Sequence, residues 1–482
     1  MPVMPSDKNY ISKSLPYSGN GFELLQLLRR EPHVFFLDSS QTDFCRGRYS
    51  FIGFDPFAVF TRKGPDTLRL LKEQFQSCIY DSPAGYNAAF TPLTAGLVGC
   101  LSYDHGLHFE KIRLRAADDL HLPEGHFGFY DRIITIDHFE QKLHVTSTGL
   151  PERNGAVREA RAMRRLEEVL DKIGPLLGGL KQDDEFLEGD EDAPFLPDCN
   201  FHKGQYMSAV RKALDYIRRG DIYQVNLSQR FRYCLPDNGP DPVLLYKMLR
   251  DISPAPFGAY MDCGGFQLIS NSPERFLRLN GRSVQTRPMK GTRPRGKDAQ
   301  EDQRMREELL NSVKEQAELL MITDLLRNDL GKVCDYGSVR VTERRTLEEY
   351  PYVFQATSTI EGTLRGDKDC FDLIRACFPG GSVTGCPKIR AMEIIEELEP
   401  TRRGMYTGSL GYINFGGNMD FNILIRTVLA FGDRMYIQVG GGIVADSVPE
   451  EEYAETLVKA EAIKRCLQAC LGRTAPGAKV LR

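Results

Sequence analysis

Three features of this 482-residue sequence predict a mixed α/β (α+β) fold rich in sheet. Short β-rich runs recur before residue 150: HVFFLDSS (33–40), RYSFIGFDPFAVFT (48–61), AGLVGCLSYD (95–104) and RIITIDHFEQKLHVTST (132–148). A helical period then appears in VREARAMRRLEEVLDKI (157–173). From residue 200, strands and helices alternate to about residue 471.

The acidic stretch KQDDEFLEGDEDAPFLPD (181–198) has no period and two prolines, which is the pattern of an exposed linker. It divides a β-rich segment, 1–180, from a second segment, 200–471, with the linker taken as 181–199 and a tail at 472–482. Two helices carry candidate chemistry. One is expected to run over about 301–330 with Gly331 as its stop. The other starts at SVPE (447–450), where Ser447, Pro449 and Glu450 make a capping-box signature.

Net charge is −4, with 27% charged and 41% hydrophobic residues, so no broad basic face for nucleic acid is implied. The N-terminus lacks an apolar signal core, and no apolar run is long enough for a bilayer. Twelve cysteines are scattered without a C-x-x-C pair, as expected of free thiols in a reducing cytoplasm.

Glu318 stands on an apolar stripe with Met321, Ile322 and Leu325 at i+3, i+4 and i+7, so it is either at the stripe's edge or paired inside. Glu452, Glu455 and Lys459 share one helix face. The two acids are either part of a solvated helix start or, with Glu318, carboxylates for a hard cation such as Mg²⁺. FPGGSVTGCPKIRAMEIIEEL (378–398) is a glycine loop entering a helix, suited either to a tight turn or to an anion, with Thr384 adding a hydroxyl. It is not a nucleotide P-loop, because Cys386 and Pro387 stand where lysine and Ser/Thr are needed. Gly440, Gly441 and Gly442 end a strand and let a backbone approach a ligand, or form a bulge. Arg426, the one charge in NILIRTVLAF, needs an anionic partner.

Several stretches together resemble the chorismate-utilising enzymes, the family that includes the component I subunits of anthranilate and aminodeoxychorismate synthases. They are GDIYQVNLSQRF (220–231), SNSPERFLRL (270–279), RPMKGT (287–292), AELLMITDLLRNDLG (317–331), GGSVTGCPK (380–388), GSLGYINF (408–415), GGGIVADS (440–447) and EYAETLVKA (452–460). The resemblance spans residues 200–470 strongly and the first ~180 residues loosely, through FLDSS and GCLSYD. It implies two large packed β-sheets with helices outside, and a chorismate-binding catalytic domain at 200–471. It further implies Mg²⁺ at Glu318 and Glu455 with Glu452 nearby. By the same resemblance, Gly291, Thr292, Thr384, Gly385, Tyr412, Arg426, Gly440, Gly441, Gly442 and Lys459 bind substrate, and Glu274 is a general acid/base.

Within the family, Gln224 stands where the isochorismate and salicylate synthases carry a lysine base, and Lys290 where anthranilate synthases carry alanine. Lys290 is the mark of the aminodeoxychorismate synthase branch. There a lysine amine attacks C2 of chorismate as the 4-hydroxyl leaves, and ammonia then enters at C4 to give the precursor of p-aminobenzoate and folate. A glutamine amidotransferase subunit is the expected ammonia source. Anthranilate synthase chemistry and a non-catalytic amidotransferase-binding subunit are the alternatives. Two positions depart from the family pattern: Gln355 replaces a histidine and Cys386 an alanine.

Overall fold

The computed structural model describes residues 9–40, 47–79, 86, 91–177, 198–235, 241–350 and 353–472. The expected linker through residue 197 and the tail from 473 lie outside the described residues. Two large, almost wholly antiparallel sheets dominate. The first has 12 strands and runs from Ile11–Pro16 through Phe35–Asp38, Phe257–Asp262 and Arg434–Ile443 to Gln224–Cys234 and Gly385–Cys386. The second has 10 and runs from Met289–Pro294 through Arg275–Asn280 and Ser409–Asn414 to Ala58–Arg62.

Strands from both sides of the acidic stretch pair directly. Phe36 stands opposite Tyr260 in the first sheet, and Val98 opposite Tyr412 in the second. The segments 1–180 and 200–471 therefore share both sheets.

Alternation of side chains fixes the layering. Between the sheets lie Phe35, Phe51, Leu268 and Tyr436 from the first and Val98, Tyr130 and Leu410 from the second. The outer face of the first sheet buries Ile134, Val145 and Ile437 against Gly155–Leu177, Pro242–Ile252 and Pro449–Gly472. The outer face of the second buries Leu97, Phe276 and Ile360 against Thr67–Cys78, Val313–Gly331 and Cys370–Cys377. Cys466 and Cys470 pack in this first outer layer, as their i,i+4 spacing suggests.

Two helix expectations change. The expected helix over 301–330 is two, Ala299–Asn311 and Val313–Gly331, because the Ser312 hydroxyl accepts from the Glu315 N–H and starts a new helix. At the other helix, Ser447 does not complete a capping box with Glu450; its hydroxyl donates to the Glu452 carboxylate at 2.6 Å.

One buried ion pair ties the central elements together. Arg403 and Glu399, with side chains 1% and 2% exposed, meet at 2.7 Å. Arg403 also donates to the carbonyls of Val383 at 2.9 Å and Asn226 at 2.8 Å, while Glu399 accepts from the backbone and hydroxyl of Ser228, both at 2.8 Å. The Tyr103 ring covers the guanidinium at 4.7 Å. Replacing Arg403 strands a carboxylate away from water. Arg403→Met is expected to lower unfolding free energy by about 3–5 kcal/mol, measured by urea titration against the wild type.

Candidate functional site

Lys290 lies on the Met289–Pro294 strand, where the register slips between Lys290 and Thr292. Gly291 is the extra residue, at φ 82°, and such a bulge re-aims the side chain beside it. The Lys290 side chain is only 14% exposed, and its Nζ stands 3.9 Å from Glu318 Oε2 on the Val313–Gly331 helix. Burial pushes the Lys290 ammonium below its ordinary value, and Lys459 adds to this. The carboxylates of Glu318, Glu274 and Glu455 pull the other way without prevailing.

Glu274 immediately precedes the Arg275–Asn280 strand and is 4% exposed. Burial raises its carboxyl to about 7, although the Ser382 hydroxyl, the Lys290 charge and the Met289 N–H all favour the carboxylate. A lysine drawn toward neutrality thus faces a carboxylic acid drawn toward neutrality, the pairing that nucleophile and proton donor require near pH 7.

The tri-glycine stretch borders this pair. A Cβ on Gly442 would stand 2.6 Å from Gln224 Nε2 and 3.4 Å from Lys290 Nζ. One on Gly441 would stand 3.2 Å from Glu452 Oε2, 3.8 Å from Glu455 Oε1 and 4.0 Å from Lys459 Nζ. Bare backbone is what keeps room on both sides of the strand. Gly440 pairs with Ser228, and its carbonyl accepts from Lys459 Nζ at 2.9 Å.

Lys459 also meets Glu455 at 2.7 Å. Burial would raise Glu455, but Lys459, Lys314 and Lys290 together hold it below the usual carboxylate range. Burial raises Glu452, with the nearby Glu455 adding to it and the Ser447 hydrogen bond opposing.

Among the described residues, no three His, Cys, Asp or Glu side chains stand close enough to hold a metal ion. Glu452 and Glu455 adjoin Gly441, while Glu318 lies beside Lys290. The donor chemistry still suits Mg²⁺, which takes one or two carboxylates and completes its shell with water and an anionic substrate.

Other expected ligands play parts in the scaffold. The Thr384 hydroxyl donates to the Gly380 carbonyl at 3.1 Å, and the Thr384 carbonyl accepts from the Asn226 N–H at 2.7 Å. Gly385 presses on the Gln224 backbone, where a Cβ would lie 2.2 Å from the carbonyl oxygen. Gly291 abuts Leu309 and Glu315. The Thr292 hydroxyl is exposed and accepts from Gln355 Nε2 at 3.4 Å.

Arg426 is not within a strand. It occupies the bend before Thr427–Phe431 with φ 51°, and it forms no ion pair among the described residues. Burial lowers its guanidinium, leaving a cation suited to an anionic ligand. Tyr412 does not join this group. It lines a separate cavity of about 180 Å³ with Asp38, Phe51, Arg275 and Asp420, because its strand position turns it between the sheets.

Three side chains here have contacts that sequence reasoning does not assign. Lys314 lies four residues before Glu318 on one helix face, a visible i,i+4 signal. Ser447 was visible but read as a cap. Ser382 sits inside the glycine loop, and no local spacing links it to Glu274.

Comparison with known proteins identifies the family and agrees with the fold. The chain belongs to the chorismate binding enzyme family, which matches residues 32–465. It is 38% identical over 473 residues to the aminodeoxychorismate synthase component 1 of Bacillus subtilis (strain 168), covering 95% of this chain and 96% of that protein. It is 40% identical over 457 residues to the anthranilate synthase component 1 of Thermus thermophilus, covering 92% and 94%. The solved anthranilate synthase component I from Streptococcus pneumoniae TIGR4 superposes with a TM-score of 0.75 at 30% identity, covering 88% of this chain and 93% of that one.

Two outcomes test the site. Gly442→Ala is expected to lower turnover about tenfold or more by displacing Gln224 and Lys290, with the melting temperature nearly unchanged, checked by steady-state kinetics and calorimetry. Glu274 binds a proton more tightly folded than unfolded, so it costs stability as pH rises from its unfolded value toward about 7. Glu274→Gln, compared with wild type, should therefore become relatively more stable by roughly 3 kcal/mol between pH 5 and pH 8, read by denaturation at each pH.

Proposed function

We propose that this protein is the synthase component that aminates chorismate at C4, forming 4-amino-4-deoxychorismate through a covalent Lys290 adduct. The observation that carries the reading is the placement of Lys290. Its amine is sequestered, lowered by burial, and set among Glu318, Glu274 and the Gly442 backbone.

A neutral amine can attack C2 of the ring as the 4-hydroxyl departs. Protonated Glu274 supplies the proton that lets that hydroxyl leave as water. The resulting Glu274 carboxylate then takes the proton released by the alkylated Lys290. Ammonia adds at C4, the double bond shifts back, the Lys290 amine leaves with the proton that Glu274 returns to it, and the C4 ammonium gives up a proton to reprotonate Glu274. The net change is chorismate plus ammonia to aminodeoxychorismate plus water. Arg426, without an ion pair among the described residues, would hold a substrate carboxylate. Glu318 and Glu455, with Glu452 nearby, would hold Mg²⁺, which when bound neutralises the charge of a ring carboxylate.

Ammonia from a glutamine amidotransferase partner fits the component 1 designation of the relatives. Among the described residues no helix is long and apolar enough to cross a membrane.

The second reading, anthranilate formation, is favoured by the Thermus thermophilus relative at comparable identity. Incubation with chorismate, Mg²⁺ and ammonium separates the two. C4 amination predicts an amino product that needs an added lyase to yield p-aminobenzoate, whereas direct release of fluorescent anthranilate and pyruvate overturns it. Lys290→Ala is expected to cut C4 amination by about a hundredfold or more; unchanged turnover by chromatographic assay would refute the nucleophile.

A further inference from the structure

Ser382 stands in the short turn Gly381–Val383, within the glycine loop. Its hydroxyl donates to Glu274 Oε1 at 2.6 Å, across 108 residues of sequence. The two residues are 6% and 4% exposed. Glu274 is the one acceptor that the Ser382 hydroxyl reaches among the described residues.

The loop around Ser382 is clamped. Lys388 Nζ donates to the carbonyls of Cys377 at 2.8 Å and Pro379 at 2.9 Å and pairs with Asp329. Arg403 holds the Val383 carbonyl at 2.9 Å. On the other side a Cβ on Gly380 would lie 2.5 Å from Ile423, and one on Gly381 would lie 2.8 Å from Leu325. Ser382 therefore has little freedom to aim elsewhere, and Glu274 is held by a fixed donor.

Such a contact has two chemical effects. An O–H directed at Oε1 makes that oxygen the carbonyl-type acceptor, so the proton of the neutral acid resides on Oε2. The same hydrogen bond strengthens when the carboxyl ionises, which favours the carboxylate left after proton transfer. The charged side chain acting on Glu274 is Lys290, from the Met289–Pro294 strand. The Met289 N–H also favours the carboxylate, and neighbouring Arg275 is turned away to Asp420 at 3.0 Å.

We propose that Ser382 is the positioning residue of the reaction's acid: it fixes which Glu274 oxygen delivers the proton and stabilises the carboxylate that remains. The proposal rests on the reading of Glu274 as proton donor given above.

The test measures kcat, KM for chorismate and the pH profile with ammonium for Ser382→Ala, Glu274→Gln and the double variant. Ser382→Ala should lower kcat about tenfold while KM stays within about twofold. A proton donor must be protonated to work, so turnover falls as pH passes above its pKa. Losing the Ser382 donor weakens the carboxylate, and the alkaline limb should move up by about one pH unit. In the Glu274→Gln background, Ser382→Ala should cost nothing further. Ser382→Cys, close in size and a weak donor, should retain the fold and show the same displacement of the limb should the alanine variant misfold.

An unchanged profile, or equal losses in both backgrounds, overturns the positioning role. If Glu274→Gln itself leaves kcat intact, the acid assignment falls and the proposal with it. If Glu274→Gln is impaired while Ser382→Ala is not, the proposal alone falls.

Discussion

A guanidinium without water beside it must find all its partners in the protein, and Arg403 does so by collecting them from separate parts of the chain. It takes Glu399 from the end of one helix, Val383 from the glycine loop and Asn226 from the Gln224–Cys234 strand. Each contact satisfies a buried group that would otherwise be costly. The consequence is geometric. The loop that presents Ser382 and the strand that begins with Gln224 are locked to one another through this cation as well as through the Asn226–Thr384 backbone hydrogen bond. The catalytic candidates then hang from this frame: Glu274 by Ser382, and Lys290 by the bulge at Gly291.

The site is divided between neighbouring layers of the fold. Lys290 comes from the edge strand of the second sheet, Glu274 from just before another of its strands, the glycines from the first sheet, and Glu318, Glu452 and Glu455 from two outer helices. No one element contains enough chemistry to work alone. The arrangement also balances charge. Glu318 faces Lys290, Glu455 faces Lys459, and Arg426 remains without a carboxylate partner among the described residues. A buried guanidinium left in this state is suited to an anionic ligand.

Much of this was visible in the linear pattern. The β-rich runs before residue 150 form strands, and the glycine and lysine motifs lie close together, because each is written over a few adjacent residues. The misreadings came where a tertiary contact overrode a local signal. Ser312 split a helix whose apolar period ran on smoothly, and Ser447 gave its hydroxyl to Glu452 rather than to a cap. Tyr412 lies close to other matching residues in sequence, but strand alternation and the approach of the second sheet turn it into another cavity. Ser382 was illegible for a simpler reason: its acceptor is far away in sequence, and no periodicity reports a hydroxyl's direction.

The sharing of sheets has a consequence for synthesis. Phe35–Asp38 is covered along one edge by Tyr49–Gly53, made soon afterwards, and along the other by Phe257–Asp262. During translation the nascent chain must carry that second edge, lined with Phe35 and Phe36, until its distant partner leaves the ribosome. Exposed strand edges of this kind recruit neighbours.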